Sequence, residues 1–212
     1  MAVLHIDFFH DVLCAWCYAL SPRLRRLSHE YPEIVIDHHC FALAPSPEGL
    51  EEMFGDKTRA KEEILKHWRA ANENDDGHRI NSALMAERSH DYPYSMPGLI
   101  GCKAAEILKG NDGHWDYFDR VQKAHLTECL DITKRETLVM CALDIGLDVA
   151  RFEALLDDPM TLKAVQKDLQ LAQKLGIDSV PTLIIDSTVK ISGAYHYEYL
   201  KGMIEREIRR IH

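Results

Sequence analysis

Strand-like segments occur only near the two ends of this 212-residue chain, and this distribution limits the folds that it can adopt. Residues 3–9 and 34–41 have the apolar composition of buried strands, and residues 182–185 and 189–192 flank a short polar turn and predict a hairpin. Two parallel strands or one isolated hairpin would each be marginally stable. We therefore expect both ends to share one sheet.

The first two strand-like segments flank a helix. Leu20, Leu24 and Leu27 recur at helical spacing, and the second strand follows Pro32. A strand, a helix and a strand joined in this way form a βαβ unit with parallel strands and a right-handed crossover.

From Ser46 to Leu175 helix signals replace strand signals. The expected helix starts are Ser46-Pro47, a capping box that begins at Thr133, Asp148 and Asp158-Pro159. Gly176 is the expected helix cap before the hairpin, and residues 200–211 form a last amphipathic helix. The sequence thus predicts a three-layer α/β domain of residues 1–45 and 176–212, with residues 46–175 as a helical insertion.

The net charge of −9 argues against general affinity for nucleic acids or anionic membranes, because both favour basic surfaces. The apolar runs are shorter than a membrane span, and the N-terminus lacks the basic and apolar regions of a signal peptide. We therefore expect a cytoplasmic protein that binds neither nucleic acid nor membrane, and its oligomeric state is left open.

The six cysteines form one close pair and four single residues, which is not the pattern of a secreted disulfide framework. Two of the single residues, Cys102 and Cys141, fall on apolar faces of predicted helices. Single cysteines in such positions are usually buried as small hydrophobic side chains. We assign no catalytic role to them, or to Cys40 and Cys129.

The close pair, Cys14-Ala15-Trp16-Cys17, lies where the first strand turns into a helix. The unpaired N–H groups and the dipole of a helix N-terminus favour a thiolate, which is the reactive form of cysteine. Cys14 is the expected nucleophile, and Cys17, one turn inside the helix, is expected to resolve the mixed disulfide.

A zinc site is the alternative interpretation of this pair, because His5, His10, His38, His39 and Cys40 are close in sequence. The chain has no second Cys-x-x-Cys. Neighbouring residues of a strand point to opposite faces, so the segment 38–40 does not easily converge on one ion. We predict no metal site.

Val180-Pro181 precedes the third strand-like segment. A proline at the first position of a strand can accept a cis bond and leave backbone groups free for an extended peptide, although a plain turn proline is the alternative. We expect Val180, Pro181 and Trp16 to contact the substrate.

Two acidic residues are candidates for proton transfer. Asp11 could relay protons or cap the loop before Cys14, and Asp7 could be a buried acid that deprotonates Cys17 or an exposed residue of the strand.

Three segments carry a family resemblance. Residues 11–18 are Asp-Val-Leu-Cys-Ala-Trp-Cys-Tyr, residues 176–182 are Gly-Ile-Asp-Ser-Val-Pro-Thr, and residues 192–194 are Ser-Gly-Ala. Together they resemble the DsbA-like oxidoreductases of the FrnE type in the thioredoxin superfamily, over nearly the whole chain. The resemblance implies a thioredoxin-like α/β fold split by a helical insertion, with Pro181 cis and facing the cysteines.

The resemblance also implies a function, thiol-disulfide exchange with protein or peptide substrates or with glutathione. No cofactor is expected to be bound, and glutathione is the expected co-substrate. The related 2-hydroxychromene-2-carboxylate isomerases and kappa-class glutathione transferases suggest a glutathione-dependent isomerase or transferase instead, but those enzymes usually lack a residue equivalent to Cys17. A redox-regulated peptide-binding or chaperone module is a third possibility.

The chain departs from the family pattern at two places. Ala15 replaces the usual proline, and Tyr92 to Gly98 stand near the position of an absent Asn-Thr-x-x-Ala-His motif. This stretch could line a pocket over the cysteines or form a packed loop. Pro22 could kink the first helix or restart it after Ser21. Substrate and redox potential are therefore left open.

Overall fold

The computed structural model describes residues 3–211 and begins with a βαβ unit. Its elements are β1 (Leu4–His10), α1 (Ala15–Glu30) and β2 (Ile34–Cys40). A run of helices follows: α2 (Pro47–Phe54), α3 (Lys57–Asn74), α4 (Ser82–Glu87), α5 (Ser95–Gln122) with a π-helical turn (Lys123–Thr127), α6 (Arg135–Asp144), α7 (Val149–Leu156) and α8 (Pro159–Lys174). The last elements are β3 (Thr182–Ile185), β4 (Val189–Ser192) and α9 (Tyr197–Ile211).

The strands from both ends of the chain form one mixed sheet in the order β2-β1-β3-β4. β1 and β2 are parallel, with Leu4 opposite Ile34 and His10 opposite Cys40. β3 runs antiparallel to β1 and forms the expected hairpin with β4. The predicted α/β fold, in which both ends complete one sheet, is therefore confirmed.

The two faces of the sheet pack against different helices because strand side chains alternate. Leu4, Ile6 and Phe8 are fully buried in the main core, which also contains the three leucines of α1. Phe9 points to the other face and packs in a smaller core with Ala172 of α8. Each large apolar side chain buried in this way stabilises the fold by about 1.5–3 kcal/mol.

Most of the predicted helix starts are observed. Ser46 is the N-cap of α2 and Pro47 is its first residue, and the side chains of Asp148 and Asp158 cap α7 and α8. The predicted N-cap at Thr133 is wrong by one residue, because Lys134 is the N-cap of α6. The Thr133 hydroxyl instead donates to the carboxylate of Asp131, a local bond that competes with capping.

Pro22 lies inside α1, which continues through it, so the alternative of a helix restart at Ser21 is wrong. The Ser21 hydroxyl donates to Asp119 of α5 rather than capping a helix. None of the helices in the described part of the chain has the length and apolar character needed to span a membrane.

Candidate active site

Cys14 lies where two distant segments of the chain meet. Its Sγ is the N-cap group of α1 and accepts a hydrogen bond of 3.1 Å from the backbone N–H of Cys17. The same Sγ is 3.5 Å from the carbonyl oxygen of Val180, to which the thiol can donate. The bond between Val180 and Pro181 is cis, as the resemblance implied. The structure thus brings both cysteine residues and the Val-Pro pair together.

The loop before Cys14 is held by a side chain that the sequence did not indicate. Gln122, at the end of α5, is fully buried, and its Nε2 donates to the carbonyl oxygens of Asp11 (3.1 Å) and Cys14 (2.9 Å). Within the loop, the backbone N–H of Cys14 donates to the carbonyl of Asp11. Buried carbonyl groups need hydrogen-bond donors, and Gln122 of α5 supplies a donor to both of these carbonyls.

Asp11 is fully buried beneath this loop. Its carboxylate accepts hydrogen bonds from the backbone N–H groups of Leu13 (3.2 Å) and Leu43 (2.6 Å) and from the hydroxyl of Ser95 (2.6 Å). Burial raises the pKa of Asp11 from 3.8 to about 6, and these hydrogen bonds limit the rise. Asp11 therefore fastens the loop while keeping a pKa close to neutral.

Cys17 differs from Cys14 in its environment. Its side chain is fully buried, and this burial raises the pKa of Cys17 well above its ordinary value. The hydrogen bond and the charge of Cys14 raise this pKa further. Cys17 is thus a protonated thiol that needs a base before it can react.

Asp7 does not join this group. It alternates with Phe8 along β1 and points to the opposite face of the sheet from the α1 leucines. Its carboxylate is 2.8 Å from Nε2 of His39, whose Nδ1 is 3.4 Å from Asp168. Burial would lower the pKa of His39, but the hydrogen bonds to Asp168 and Asp7 outweigh it and raise the pKa to about 9. Asp7 therefore belongs to an ion cluster on the α8 face.

A cavity of about 260 Å³ opens beside Cys14. Its walls come from the start of α1, from α2 and α3, and from the segment before α5. The large apolar and aromatic lining residues are Trp16, Leu50, Phe54, Ile64, Trp68 and Tyr92. Val180 also lines it, so the predicted contact residues Trp16 and Val180 share one pocket with Cys14.

In the stretch from Tyr92 to Gly98, Tyr92 lines the cavity and Ser95 contacts the cysteine loop. The hydroxyl of Tyr92 accepts a hydrogen bond of 3.1 Å from Nε1 of Trp68 and is 3.1 Å from Nε2 of His125. These bonds fix the aromatic wall of the cavity. Ser95 begins α5 and donates to Asp11, which links the stretch to the cysteine loop.

Gly98 allows α5 to approach this loop closely. A Cβ atom at this position would lie 2.7 Å from Cγ2 of Val12, which is far inside normal contact distance. We expect Gly98→Ala to lower the free energy of unfolding by about 1–2 kcal/mol, because the overpacking outweighs the gain in helix propensity.

Urea unfolding of the variant measures this effect. The matched control is Gly202→Ala in α9, where a Cβ atom would meet nothing within 4 Å. That substitution should stabilise the protein by up to about 1 kcal/mol. Equal effects of the two alanines would contradict the close approach at Gly98.

Comparison with known proteins identifies the family. The model of the DSBA-like thioredoxin domain matches residues 5–205. The chain belongs to the DSBA-like thioredoxin domain family. Members of this DSBA-like family have no bound cofactor, which agrees with the expectation from the resemblance.

Curated relatives of this DSBA-like protein include ClpXP adapter proteins named SpxH. The one from Shouchella clausii (strain KSM-K16) is 27% identical in an alignment 215 residues long that covers 95% of this chain and 66% of the relative. The one from Bacillus subtilis (strain 168) is 25% identical, with the same shares covered. The chain thus spans just under two thirds of the length of these two relatives.

Solved structures share the fold of this DSBA-like protein. The cytosolic disulfide reductase DsbM from Pseudomonas aeruginosa, solved with glutathione, has a TM-score of 0.75 at 20% identity, covering 97% of this chain and 99% of that one. A 2-hydroxychromene-2-carboxylate isomerase has a TM-score of 0.69 at 16% identity, covering 97% of each chain. At these identities the similarity establishes the common architecture.

Proposed function

We propose that this protein is a cytoplasmic dithiol-disulfide oxidoreductase that exchanges disulfides with proteins, peptides or glutathione through Cys14 and Cys17. The observation that carries the proposal is the position of Cys14 Sγ, which caps α1, accepts the N–H of Cys17 and lies 3.5 Å from the Val180 carbonyl. The helix N–H groups and dipole stabilise a thiolate at this place. The cytosolic disulfide reductase with the same fold supports the proposal.

The reaction proceeds through a mixed disulfide. The Cys14 thiolate attacks one sulfur of the substrate disulfide, that bond breaks, and the other sulfur leaves and takes up a proton. Cys17 then loses its proton and attacks Sγ of Cys14. The Cys14–Cys17 disulfide forms and the second substrate sulfur leaves as a thiol, so two electrons have passed to the substrate. Two molecules of glutathione regenerate the dithiol by the same steps, with formation of glutathione disulfide.

Asp11 is the proposed acceptor of the Cys17 proton. Burial raises the pKa of Cys17, so the resolving step needs a base, and Asp11 is ionised at neutral pH with its pKa of about 6. Its charge also acts on Cys17, since their repulsion contributes to the raised pKa of the thiol. When Asp11 has taken up the proton it is neutral, so this repulsion no longer acts on the Cys17 thiolate as it attacks Sγ of Cys14.

The apolar cavity and the Val180 carbonyl together favour a peptide substrate. An extended chain can pair with the free backbone next to Pro181 and place an apolar side chain among the lining residues of the cavity. Glutathione lacks such a side chain, so it would use the backbone contacts alone.

The function is tested by following turnover of insulin or a peptide disulfide with glutathione as the electron donor. We expect catalysed reduction and, in mass spectra of the quenched reaction, a glutathione adduct on Cys14. The control variant Cys102→Ala changes a buried cysteine of α5 and should retain activity. Turnover no faster than the uncatalysed reaction, without a Cys14 adduct, would refute the proposal.

The cavity makes a separate prediction. Phe54→Ala removes part of the apolar wall, and we expect it to raise KM about 10-fold for a peptide disulfide with Leu or Phe beside the cysteine, equal to about 1.4 kcal/mol. The KM for glutathione disulfide should not change, because glutathione has no apolar side chain to place in the cavity. The control is Leu143→Ala, a leucine of α6 that is 63% exposed. Equal changes for both substrates would contradict an apolar side-chain site.

The SpxH relatives favour a second candidate, a binding module whose thiols only set its redox state. The 27% identity over 95% of the chain supports this candidate. It predicts that the double variant Cys14→Ser/Cys17→Ser still binds peptides with unchanged affinity but that the wild-type protein shows no turnover. A glutathione-dependent isomerase, by contrast, would turn over an electrophilic substrate with an activity unaffected by Cys17→Ser.

A further inference from the structure

Three buried histidines lie together behind the active-site loop. They are His10 at the end of β1, His38 of β2 and His114 of α5, and they are 0%, 4% and 0% exposed. One ring nitrogen of each lies within 4.8 Å of the other two. We propose that these three histidines bind one divalent transition-metal ion of the Zn²⁺ type. This site is separate from the proposed thiol chemistry.

Strand register and alternation bring the three side chains together. Phe8 pairs with His38 in the parallel ladder, and His10 lies two residues beyond Phe8, so both histidines are on the same face of the sheet. The ring of His114 is 5.1 Å from that of His10 and 5.2 Å from that of His38. The expectation of no metal site rested on the absence of a second Cys-x-x-Cys and on residues 38–40, in which alternation sends His39 to the other face.

The separation of two ring nitrogens matches a tetrahedral ion. Nε2 of His10 and Nδ1 of His38 are 3.2 Å apart and share a hydrogen bond, and an ion bound by both would take the place of the shared proton. Two nitrogens bound to one zinc ion at about 2.0–2.1 Å, with tetrahedral angles, are about 3.3–3.4 Å apart. One ring nitrogen of His114 lies within 4.8 Å of those of His10 and His38, which places a third candidate ligand beside them.

The environment of His114 fits a metal ligand. Its Nδ1 is 2.6 Å from a carboxylate oxygen of Glu106 and donates to it, which leaves the lone pair on Nε2. This buried Nε2 has no hydrogen-bond partner among the described residues. A carboxylate that orients a histidine in this way is the usual outer partner of a zinc-bound imidazole.

A cavity of about 480 Å³ adjoins the cluster at His38, and its lining includes the carboxylates of Asp7, Asp37, Glu106 and Asp168. These carboxylates outnumber the cationic groups of the same lining, which include Lys167 and His39. Lys103 also lines the cavity, but its ammonium is paired with Glu106 at 2.7 Å and Asp168 at 2.8 Å. Water from this side would supply a fourth ligand. Three imidazoles suit Zn²⁺, Co²⁺, Ni²⁺ or Cu²⁺ rather than Mg²⁺ or Ca²⁺.

The test uses the full-length protein after treatment with a chelator. Calorimetric titration with Zn²⁺ should give one site of micromolar or tighter affinity. With Co²⁺ we expect the visible bands of a four-coordinate ion and none of the strong near-ultraviolet absorption that thiolate ligands produce. This spectrum separates the histidine site from binding at Cys14 and Cys17.

Variants assign the ligands. His114→Gln should weaken Zn²⁺ binding by at least about 100-fold, and Glu106→Gln, at a half-exposed side chain, by about 10–100-fold. The control His5→Gln changes an exposed histidine of β1 and should leave the affinity unchanged.

Three results would overturn the proposal: wild-type binding weaker than micromolar, a thiolate spectrum with Co²⁺, or unchanged affinity in Glu106→Gln and His114→Gln. If His114→Gln does not fold, the wild-type spectrum and Glu106→Gln still decide the question. Failure of this site would leave the proposed disulfide exchange unaffected, because neither experiment measures turnover.

Discussion

Replacement of Cys14 by serine is expected to lower the rate of disulfide exchange by at least about 1,000-fold, which corresponds to about 4 kcal/mol of transition-state stabilisation. A serine hydroxyl stays protonated at neutral pH, so the group that caps α1 would no longer be a nucleophile. Insulin reduction and glutathione exchange measure the loss.

Replacement of Cys17 is expected to have a different effect. Cys17→Ser leaves the attack by Cys14 intact but removes the resolving thiol, so a mixed disulfide between Cys14 and the substrate should accumulate. Non-reducing gels and mass spectrometry detect it. The buried Cys102→Ala variant should neither lose activity nor trap substrate. Full activity in Cys14→Ser, or a trapped adduct on a cysteine other than Cys14, would contradict the assigned roles.

Asp11 is expected to make the stability of the fold fall by about 3 kcal/mol as the pH rises from 4 to 7. Burial raises the pKa of Asp11 from 3.8 to about 6, so the folded protein holds this proton more tightly than the unfolded chain does. The stabilisation is fully present below pH 3.8 and is lost as the pH rises through about 6. A shift of about two pKa units corresponds to about 3 kcal/mol.

Urea unfolding of the wild-type protein and of Asp11→Asn over this pH range measures the effect. The difference between the two free energies of unfolding should change by about 3 kcal/mol, because the other titrating groups contribute equally to both proteins. The matched control is Asp178→Asn, which removes an exposed carboxylate outside the buried loop. If the difference stayed constant for Asp11→Asn, burial would not be raising the pKa of the Asp11 carboxyl group.

The same variant tests the proton transfer. Asp11→Asn cannot accept the proton of Cys17, so the mixed disulfide should persist longer, while its formation by Cys14 should keep its rate. Stopped-flow mixing followed by acid quench separates the two steps. If Asp11 acted only by holding the loop in place, Asp11→Asn would not slow resolution of the mixed disulfide more than its formation.

The strands and the cysteine site could be predicted from the sequence because both depend on local signals. Apolar runs, turn residues and the position of Cys14 before a helix are readable within a few residues. The two ends of the chain were expected to share one sheet because two parallel strands, or one hairpin, would be only marginally stable alone. These inferences needed no knowledge of distant contacts.

The side chains that complete the site could not be predicted in this way. Gln122 and Ser95 reach the cysteine loop from α5, and a polar residue on a helix carries no signal of its distant partner. Both Asp7 and Asp11 were candidates for proton transfer, with Asp7 as the expected base for Cys17, and only the three-dimensional contacts show that Asp11 lies beneath the loop while Asp7 pairs with His39. His114 was missed for the same reason, because it is far along the chain from His10 and His38.

The hydrogen bonds of Gln122 have a consequence for protein engineering. Its amide supports two carbonyls of the cysteine loop from the helical region, which makes that region part of the loop's scaffold. A miniature built only from the sheet, α1 and α9 would keep both cysteines but lose this amide, which leaves each of the two carbonyls with its backbone donor alone. Transplanting the Cys-x-x-Cys into another framework therefore requires an equivalent amide behind it, and a shortened protein needs a new donor designed in its place.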